Sequence, residues 1–540
     1  MDELTAQAVV VGGGVGGCAA ALALAENGFS VILTEEWAWI GGQFTSQAVP
    51  PDEHGWIESF GCTRRYRRLR EDIRQYYRDH YPLVEAARAS TRLNPGNGWV
   101  SPLCHEPRVA LAVLEAQLAP HLSSRRIRLL RGYRAVGVEL ESRDRIRSVA
   151  VTDALGLTKR LRANWFIDAT ENGDLLPLAE CEHVTGSEAR AETGEPGAPE
   201  KPNPDNVQAF SMCFILEERA GDNPPEGPPP DYDFWRNYTP RLTPPWPGRL
   251  LSWEGLNPRT MAPMQYRFDP HREKPSIFSG LWAFRRIIDR SQFALGTYAS
   301  DLCLVNWPMI DYLEGHLLTG SELTKARHLE AARHLSLAMV HWLRTEAPRS
   351  AGGTGWPNLR LRGDLLGTAD GLAMAPYIRE SRRIRALKTI REQEVSAQFR
   401  PGDTLAERYE DSVGIGYYRI DLHPSTGGDN YIDVPSLPFR IPLGALVPQR
   451  LVNLLPGAKN IGTTHLTNGC YRLHPVEWNI GEVAGLLAGY CEQIGCSPSQ
   501  IAGDAARTQA FQSLLRRQGI ELEWPENLNL DDGDPHAHAR

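Results

Sequence analysis

The sequence predicts an α/β fold: a parallel sheet that begins at the N-terminus, a β-meander beside it, and an inserted α+β portion before the chain returns to the sheet. Three observations carry this expectation. Residues 8–36, AVVVGGGVGGCAAALALAENGFSVILTEE, read as strand, glycine turn, helix and second strand. Residues 125–152 alternate well enough for two or three short strands. A proline-rich and then helical middle separates both from a second segment rich in glycine and apolar residues, 441–489.

The opening unit can be justified residue by residue. Ala8 to Val11 is apolar and short, as a buried strand is, and Cys18 to Glu26 is alanine-rich, as a helix is. Gly28 stands where a left-handed residue ends a helix, and Phe29 to Thr34 supplies the next strand. Gly12, Gly14 and Gly17, with Val15 and Gly16 among them, fall on the G-x-G-x-x-G frame. In that frame the first glycine permits a tight turn, the second lets a pyrophosphate approach the backbone, and the third lets helix and strand pack closely. Helix N-terminal amides then face the phosphates. An acid about 20 residues on is expected to hold the ribose hydroxyls, and Glu35, followed by Glu36, is in that place. A dinucleotide site follows from the agreement of all five parts.

The glycine frame does not choose between NAD and FAD. The residues after Glu35, EWAWIGGQFTSQAV, add a second glycine pair, Gly41 and Gly42, then Gln43 and Thr45 within reach of a cofactor running past them. Here the chain resembles the FAD-dependent oxidoreductases of the two-dinucleotide-binding-domain, glutathione-reductase-like fold. The resemblance extends to NWFIDATENGDLLPLA (164–179), PYIRESRRIRAL (376–387) and the closing segment 441–489. It implies FAD as cofactor, a Rossmann-like FAD-binding domain, and contacts from Asp168, Ala169, Thr170 and Gly462. It also places a backbone contact to adenine near Val136. The closing segment reads as a helix over 480–490, with Asn479 and Gly481 at its N-terminus, where the dipole would stabilise charge on the reduced flavin.

The expected division is a FAD-binding domain in two parts, 1–204 and 432–500, an inserted substrate domain, 205–431, and a C-terminal extension, 501–540. Proline-rich runs at 195–204 and 223–247 read as loops, and 322–347 as one long helix. The final stretch, NLNLDDGDPHAHAR, is polar and expected to be mobile; its His536 and His538 lack a third ligand, so no metal is expected.

Chemistry is expected beside the flavin, which accepts the hydride while the protein positions substrate and charge. THLTNGCYRLHPVEW offers His465 as base or hydrogen-bond partner, His474 as the second candidate, and Arg472 for a carboxylate, an enolate or the flavin carbonyl. Arg379, Glu380, Arg382 and Arg383 are expected on a helix, with Glu380 and Arg383 paired; the arginine-rich 62–81 is expected as a solvated helix face. His54, Cys62 and His105 leave covalent flavin attachment open, though a non-covalent FAD is assumed.

Composition excludes several classes. A formal net charge of −8 disfavours nucleic acid, no apolar run approaches a membrane span, and the nine scattered cysteines suit reduced thiols in the cytoplasm. Disulfide reductases of this fold carry C-x4-C where this chain has GGQFTS; flavin hydroxylases carry G-D where it has PGAKNIGTTH; SAGGTGWP is too short for a second nucleotide frame. The expectation is an FAD-dependent dehydrogenase or oxidase that takes a hydride from a small polar metabolite and passes electrons to oxygen or another acceptor. A flavin monooxygenase or halogenase, or a flavin-bound scaffold, is the alternative.

Overall fold

The computed structural model describes residues 2–221, 227–271 and 280–534. Its centre is a five-stranded, wholly parallel sheet. After an edge strand β1 (Asp2–Thr5), strand β2 (Ala8–Val11) leads into helix α1 (Val15–Glu26) and strand β3 (Val31–Glu35). Helix α2 (Arg64–His80) follows, then β4 (Ile127–Arg131). A meander of β5 (Arg134–Ser142), β6 (Arg145–Thr152) and β7 (Thr158–Arg162) returns the chain to β8 (Trp165–Asp168). The meander forms its own sheet, ordered β1-β7-β6-β5.

Between β8 and the last strand of the main sheet lies the insertion. Its antiparallel sheet uses β9 (Phe214–Glu218), β10 (Arg286–Ile288), β11 (Leu302–Val305) and β12 (Leu359–Leu361), ordered β10-β11-β9-β12. Helix α3 (Glu322–Thr345) packs here, capped by the Ser321 hydroxyl and burying Ala332, Leu335, Met339 and Leu343 at helical spacing. A short strand β13 (Ile420–Leu422) precedes β14 (Leu454–Pro456), which completes the main sheet in the order β14-β8-β2-β3-β4. Helices α4 (His465–Tyr471), α5 (His474–Ile494) and α6 (Ala505–Gln518) close the chain.

Several expectations are corrected. Helix α1 begins at Val15, not Cys18, because Val15, Gly16 and Gly17 are themselves buried in its first turn. Helix α5 begins six residues earlier than expected, at His474, with Pro475 in its first turn, where a missing N–H breaks no hydrogen bond. Asn479 and Gly481 therefore lie in the second turn rather than at the N-terminus. The arginine-rich 376–387 is not a helix; it is extended, with Arg383–Ile384 paired to His183–Val184 and single bridges from Tyr377 to Ser211 and from Ala386 to Pro448.

The expected solvated face of α2 is also partly core. Arg70 and Arg74 are buried and paired with Glu53 and Glu58, Arg70 gripping Glu53 through two nitrogens. The final stretch is packed as far as Gly533, whose carbonyl accepts from Gly55 N–H; just before it, Trp524 lies edge-on to His54 and Phe60 and tilted to Trp56. His536 and His538 lie outside the described residues. Cys491 is within α5, and all nine cysteines are free thiols.

The two ends of the cofactor half meet where α1 crosses α5. A β-carbon on Gly481 would stand 2.0 Å from the Gly16 carbonyl oxygen, and one on Gly485 2.6 Å from that of Ala20. Both obstacles are backbone, so a helix must move to admit a side chain. Gly481→Ala is expected to destabilise the fold by about 1–3 kcal/mol, the usual scale of overpacking. Denaturant unfolding with FAD present reads it; an unchanged midpoint would show that the crossing can open freely.

Candidate active site

The carboxyl ends of β2, β3 and β8 lie level, with Val11 opposite both Thr34 and Asp168. At that edge Gly12 takes a left-handed φ of 96°, and a β-carbon there would come within 2.4 Å of the Ala169 carbonyl oxygen. The turn opposite is built by Asp168. Its carboxylate accepts from Thr170 N–H at 3.1 Å, Thr170 O–H at 2.7 Å and Leu175 N–H at 3.0 Å. Burial lifts its pKa to about 7, against the pull of these bonds. Ala169 is buried beside the positions that Gly17 and Gly457 leave bare.

Glu35 ends β3 beneath this turn. Its carboxylate accepts from Gly13 N–H and from Trp37 N–H, each at 2.9 Å, and burial lifts its pKa to about 8. Glu36 points to solvent. Gly41 N–H donates to Gly13 O at 2.7 Å, which lays the second glycine pair across the first. Thr45 donates to Ile40 O at 2.5 Å and so holds that loop rather than projecting from it.

A buried polar cluster lines the path between the two glycine turns. One carboxylate oxygen of Glu171 lies 2.8 Å from where a side chain on either Gly14 or Gly42 would begin. Lys459 donates to the other oxygen and stands 3.4 Å from Glu477. Gln43 donates to Glu477 at 2.7 Å and to the Arg472 carbonyl at 3.2 Å. Burial alone would discharge Lys459, but Glu171 and Glu477 keep its pKa above the ordinary lysine value. Oxygens of Gln43, Glu171 and Glu477 remain buried without a partner.

These groups fit a dinucleotide. Two glycine turns receive an anionic group between them, a buried lysine stands beside it, α1 directs its N-terminus there, and a carboxylate waits at ribose height. Glu171, Lys459 and Glu477 were missed by sequence reasoning. Glu171 follows the D-A-T turn and Lys459 lies in the PGAKNIG loop, so position after each turn was the available signal.

Other expected contacts occupy different surroundings. Asn479 donates to Val413 O at 3.3 Å, and Gly481 faces Gly16. Gly462 is pressed on the 386–388 backbone, its missing β-carbon 2.5 Å from Lys388 O. Val136 stands on β5, 38% exposed.

Among the catalytic candidates, His465 begins α4 with its imidazole 2.9 Å from Glu380, which also binds Arg383 at 2.6 Å. Burial opposes both charges, yet the pair prevails: Glu380 is held down to about 2 and the His465 pKa is raised. His474 is buried against Phe44, and its Nδ1 accepts from Asp52 N–H at 3.1 Å. Desolvation keeps it neutral, so its proton sits on Nε2, which has no partner. Arg472 ends α4 and donates to Tyr377 Oη and Asp421 O, each at 3.0 Å. The structure thus brings Arg472, His474 and Gln43 together, with His465 at the far end of α4, about 10 Å along its axis.

A further histidine carries no sequence motif. His423 follows β13 and its Nδ1 lies 2.6 Å from Asp311. Asp311 also accepts from Ser211 at 2.7 Å and pairs with Arg379 at 3.1 Å. Burial resists ionisation of Asp311, but Arg379 and His423 hold its pKa below the usual value. The His423 pKa is lowered, first by burial and then by Arg379. The imidazole is therefore neutral, donating from Nδ1 and keeping the Nε2 lone pair.

This fold and cradle define a flavin-type dinucleotide-binding oxidoreductase. The chain belongs to the FAD dependent oxidoreductase family, whose model matches residues 7–515, and FAD is its cofactor. No curated protein sequence matches it. Among solved structures, it resembles a geranylgeranyl bacteriochlorophyll reductase-like protein from Thermoplasma acidophilum (10% identity, 96% of this chain and 85% of that one, TM-score 0.32). It also resembles a myxobacterial chondrochloren halogenase (14%, 40% and 45%, TM-score 0.23) and the L-proline dehydrogenase from P. horikoshii (14%, 34% and 24%, TM-score 0.18). The chain spans less than half the length of the latter two. Among the described residues, no helix is long and apolar enough to cross a membrane, and no group of three or more ligating side chains could hold a metal.

The Glu380–His465 pair predicts a pH-dependent stability. Glu380, at about 2 against an ordinary 4.5, stabilises the fold above pH 4.5 and loses this as pH falls toward 2. His465, raised above 6.5, stabilises it below pH 6.5 and loses this as pH rises through the folded value. Unfolding of wild type and His465→Gln should differ most between pH 4.5 and 6.5, by about 3 kcal/mol at most. A gap independent of pH would dismiss the ion pair.

Proposed function

We propose that this enzyme oxidises a small polar metabolite, with His423 as the proton acceptor, and passes the electrons to oxygen or another acceptor. The Arg379–Asp311–His423 arrangement carries the reading. A neutral imidazole with an ionised carboxylate behind it and a free Nε2 is the form a general base needs.

FAD, when bound, supplies a two-electron acceptor for hydride. The residues expected to hold it are Gly12 to Gly17, Glu35, Gly41 to Gln43, Thr170, Lys459 and Glu477; Asp168, Ala169, Thr45, Asn479 and Gly481 act by shaping those segments. Arg472 lies where the cradle meets the insertion and orients the substrate. When the substrate C–H bond breaks and its electron pair leaves as hydride, the proton on the neighbouring hydroxyl or amine passes to His423 Nε2. His465, bound to Glu380, positions α4 and through it Arg472. His474 donates from Nε2, its Nδ1 being taken.

Within this reading, residues 1–204 and 432–500 form the FAD-binding domain, 205–431 the substrate domain and 501–540 the extension. Arg472 then comes from the first and His423 from the second. All nine cysteines are free thiols, which supports the cytoplasm as the working compartment.

The purified protein is expected to show oxidised flavin bands that pass into the supernatant on acid precipitation. His54 binds Gly61 O and packs on Trp524, and Cys62 is buried, which supports a non-covalent FAD. Bands that stay in the pellet would reverse that point. His423→Asn should keep FAD yet lower turnover about 10²- to 10⁴-fold, the range of a lost general base. In wild type, kcat/KM should fall on the acid side, below pH 6.5, as His423 becomes protonated. Full turnover in His423→Asn, or incorporation of oxygen into product, would overturn this assignment.

A further inference from the structure

We propose that the substrate is a small organic acid whose carboxylate is held between Arg285 and Arg472. This rests on the reading that oxidation takes place beside His423, and it adds the substrate's chemical class.

A guanidinium carries five N–H donors and stays charged, so a buried one demands acceptors. Arg285, just before β10, has Nε and Nη1 buried with no hydrogen bond; Asp52 approaches Nη1 only to 3.6 Å. Arg472 spends Nη1 on Tyr377 and Nη2 on Asp421, and its Nε is buried without a partner. Three guanidinium nitrogens are thus left without acceptors; Arg379 and Arg383 also leave Nε unpartnered, but Arg70 and Arg383 each hold a carboxylate within 3 Å, whereas Arg285 reaches none closer than 3.6 Å. Unserved buried donors of this kind mark a place where something else accepts.

The two arginines belong to one site. Asp52 joins them: its carboxylate lies 3.6 Å from Arg285 Nη1, and its N–H donates at 3.1 Å to His474, two residues beyond Arg472. Arg285 arrives from the insertion and Arg472 from the turn between α4 and α5, so the clamp spans the boundary that the cradle opens onto. Arg285 and Asp421 keep some surface open, with side chains 11% and 23% exposed, and Tyr418 is also partly open. The Tyr418 hydroxyl makes no hydrogen bond to the described residues. His423 follows Asp421 by two residues, about 7 Å along an extended chain, which is the reach of a two- or three-carbon acid.

Charge selects the ligand. A planar guanidinium matches the two oxygens of a carboxylate. Asp52 and Asp421 flank the arginines, so a doubly charged phosphate meets repulsion that a single carboxylate largely escapes. A neutral alcohol or sugar would leave the guanidinium donors without a charged acceptor. The acid offered to His423 can bear a hydroxyl or an amine beside the carboxylate; the clamp is the same for both.

The test uses the FAD-loaded protein and calorimetric titration with oxamate and with oxamide, which replaces the carboxylate by an amide. Oxamate should bind, oxamide at least tenfold more weakly. Arg285→Gln and Arg285→Lys should each weaken oxamate at least tenfold while FAD stays bound, because Lys keeps the charge but not the fork. The proposal is overturned if the probes bind alike, if oxamate fails to bind at tens of millimolar, or if Arg285→Gln leaves its affinity unchanged. The two-probe comparison needs no variant, so poor folding of a substituted chain leaves it decisive. Loss of the wider reading looks different: the protein then takes up no FAD, or His423→Asn turns over normally whatever the probes do.

Discussion

A contact between two backbones, Gly16 on α1 and Gly481 on α5, is the constraint on which the rest depends. It lets the first helix of the chain and its closing helix run against each other with no side chain between them. Because α1 starts at the Gly12 turn and α5 starts at His474, that approach fixes the distance from the phosphate end of the cradle to Gln43, Glu477 and Arg472. Gly12 against Ala169 repeats the device at the sheet edge. The cofactor path is therefore set by close backbone packing, and its few polar side chains are placed by that packing.

A second layer of order comes from buried ion pairs. Arg70 with Glu53 anchors α2 beneath the loop that carries Asp52 and His54. Arg379 with Asp311 and Arg383 with Glu380 order the insertion, and Glu380 with His465 ties it to α4. Such pairs add little net stability, since desolvation offsets attraction, but breaking one leaves a lone buried charge. They are suited to fixing geometry, and here they fix a histidine at each end: His423 free at Nε2, His465 committed to Glu380.

The cradle was legible in the sequence because glycine spacing, apolar strands and a well-placed acid are local signals. The meander strands β5 and β6 and helix α3 were legible for the same reason, each having its own period, whereas β7 lies beyond the 125–152 stretch that alternates. The clamp was not. Asp52, Arg285 and Arg472 are far apart in the chain and are brought near one another only through the antiparallel insertion and the α4–α5 turn, which no single window contains. The segment 376–387 misled because its charges resemble helix pairing: the expected Glu380–Arg383 pair does form, but on an extended chain, and the other partners lie in other segments, at Asn172, Gly186, Glu188 and Asp311. Likewise α2 reads as a solvated face until Glu53 and Glu58 are brought over it.

The order of strands in the main sheet bears on how the protein is made. Strand β14 is the neighbour of β8, yet it emerges from synthesis only after the whole insertion. Until then β8 has one exposed edge, Lys459 and Glu477 do not exist, and the glycine turns have nothing to close against. Pairings this distant form slowly, and partly built parallel sheets are prone to association. The growing chain thus has no complete nucleotide site, and cofactor capture becomes a late step coupled to release from the ribosome. Supply of flavin during expression should then govern how much of the chain reaches its final form rather than merely how much of it is coloured.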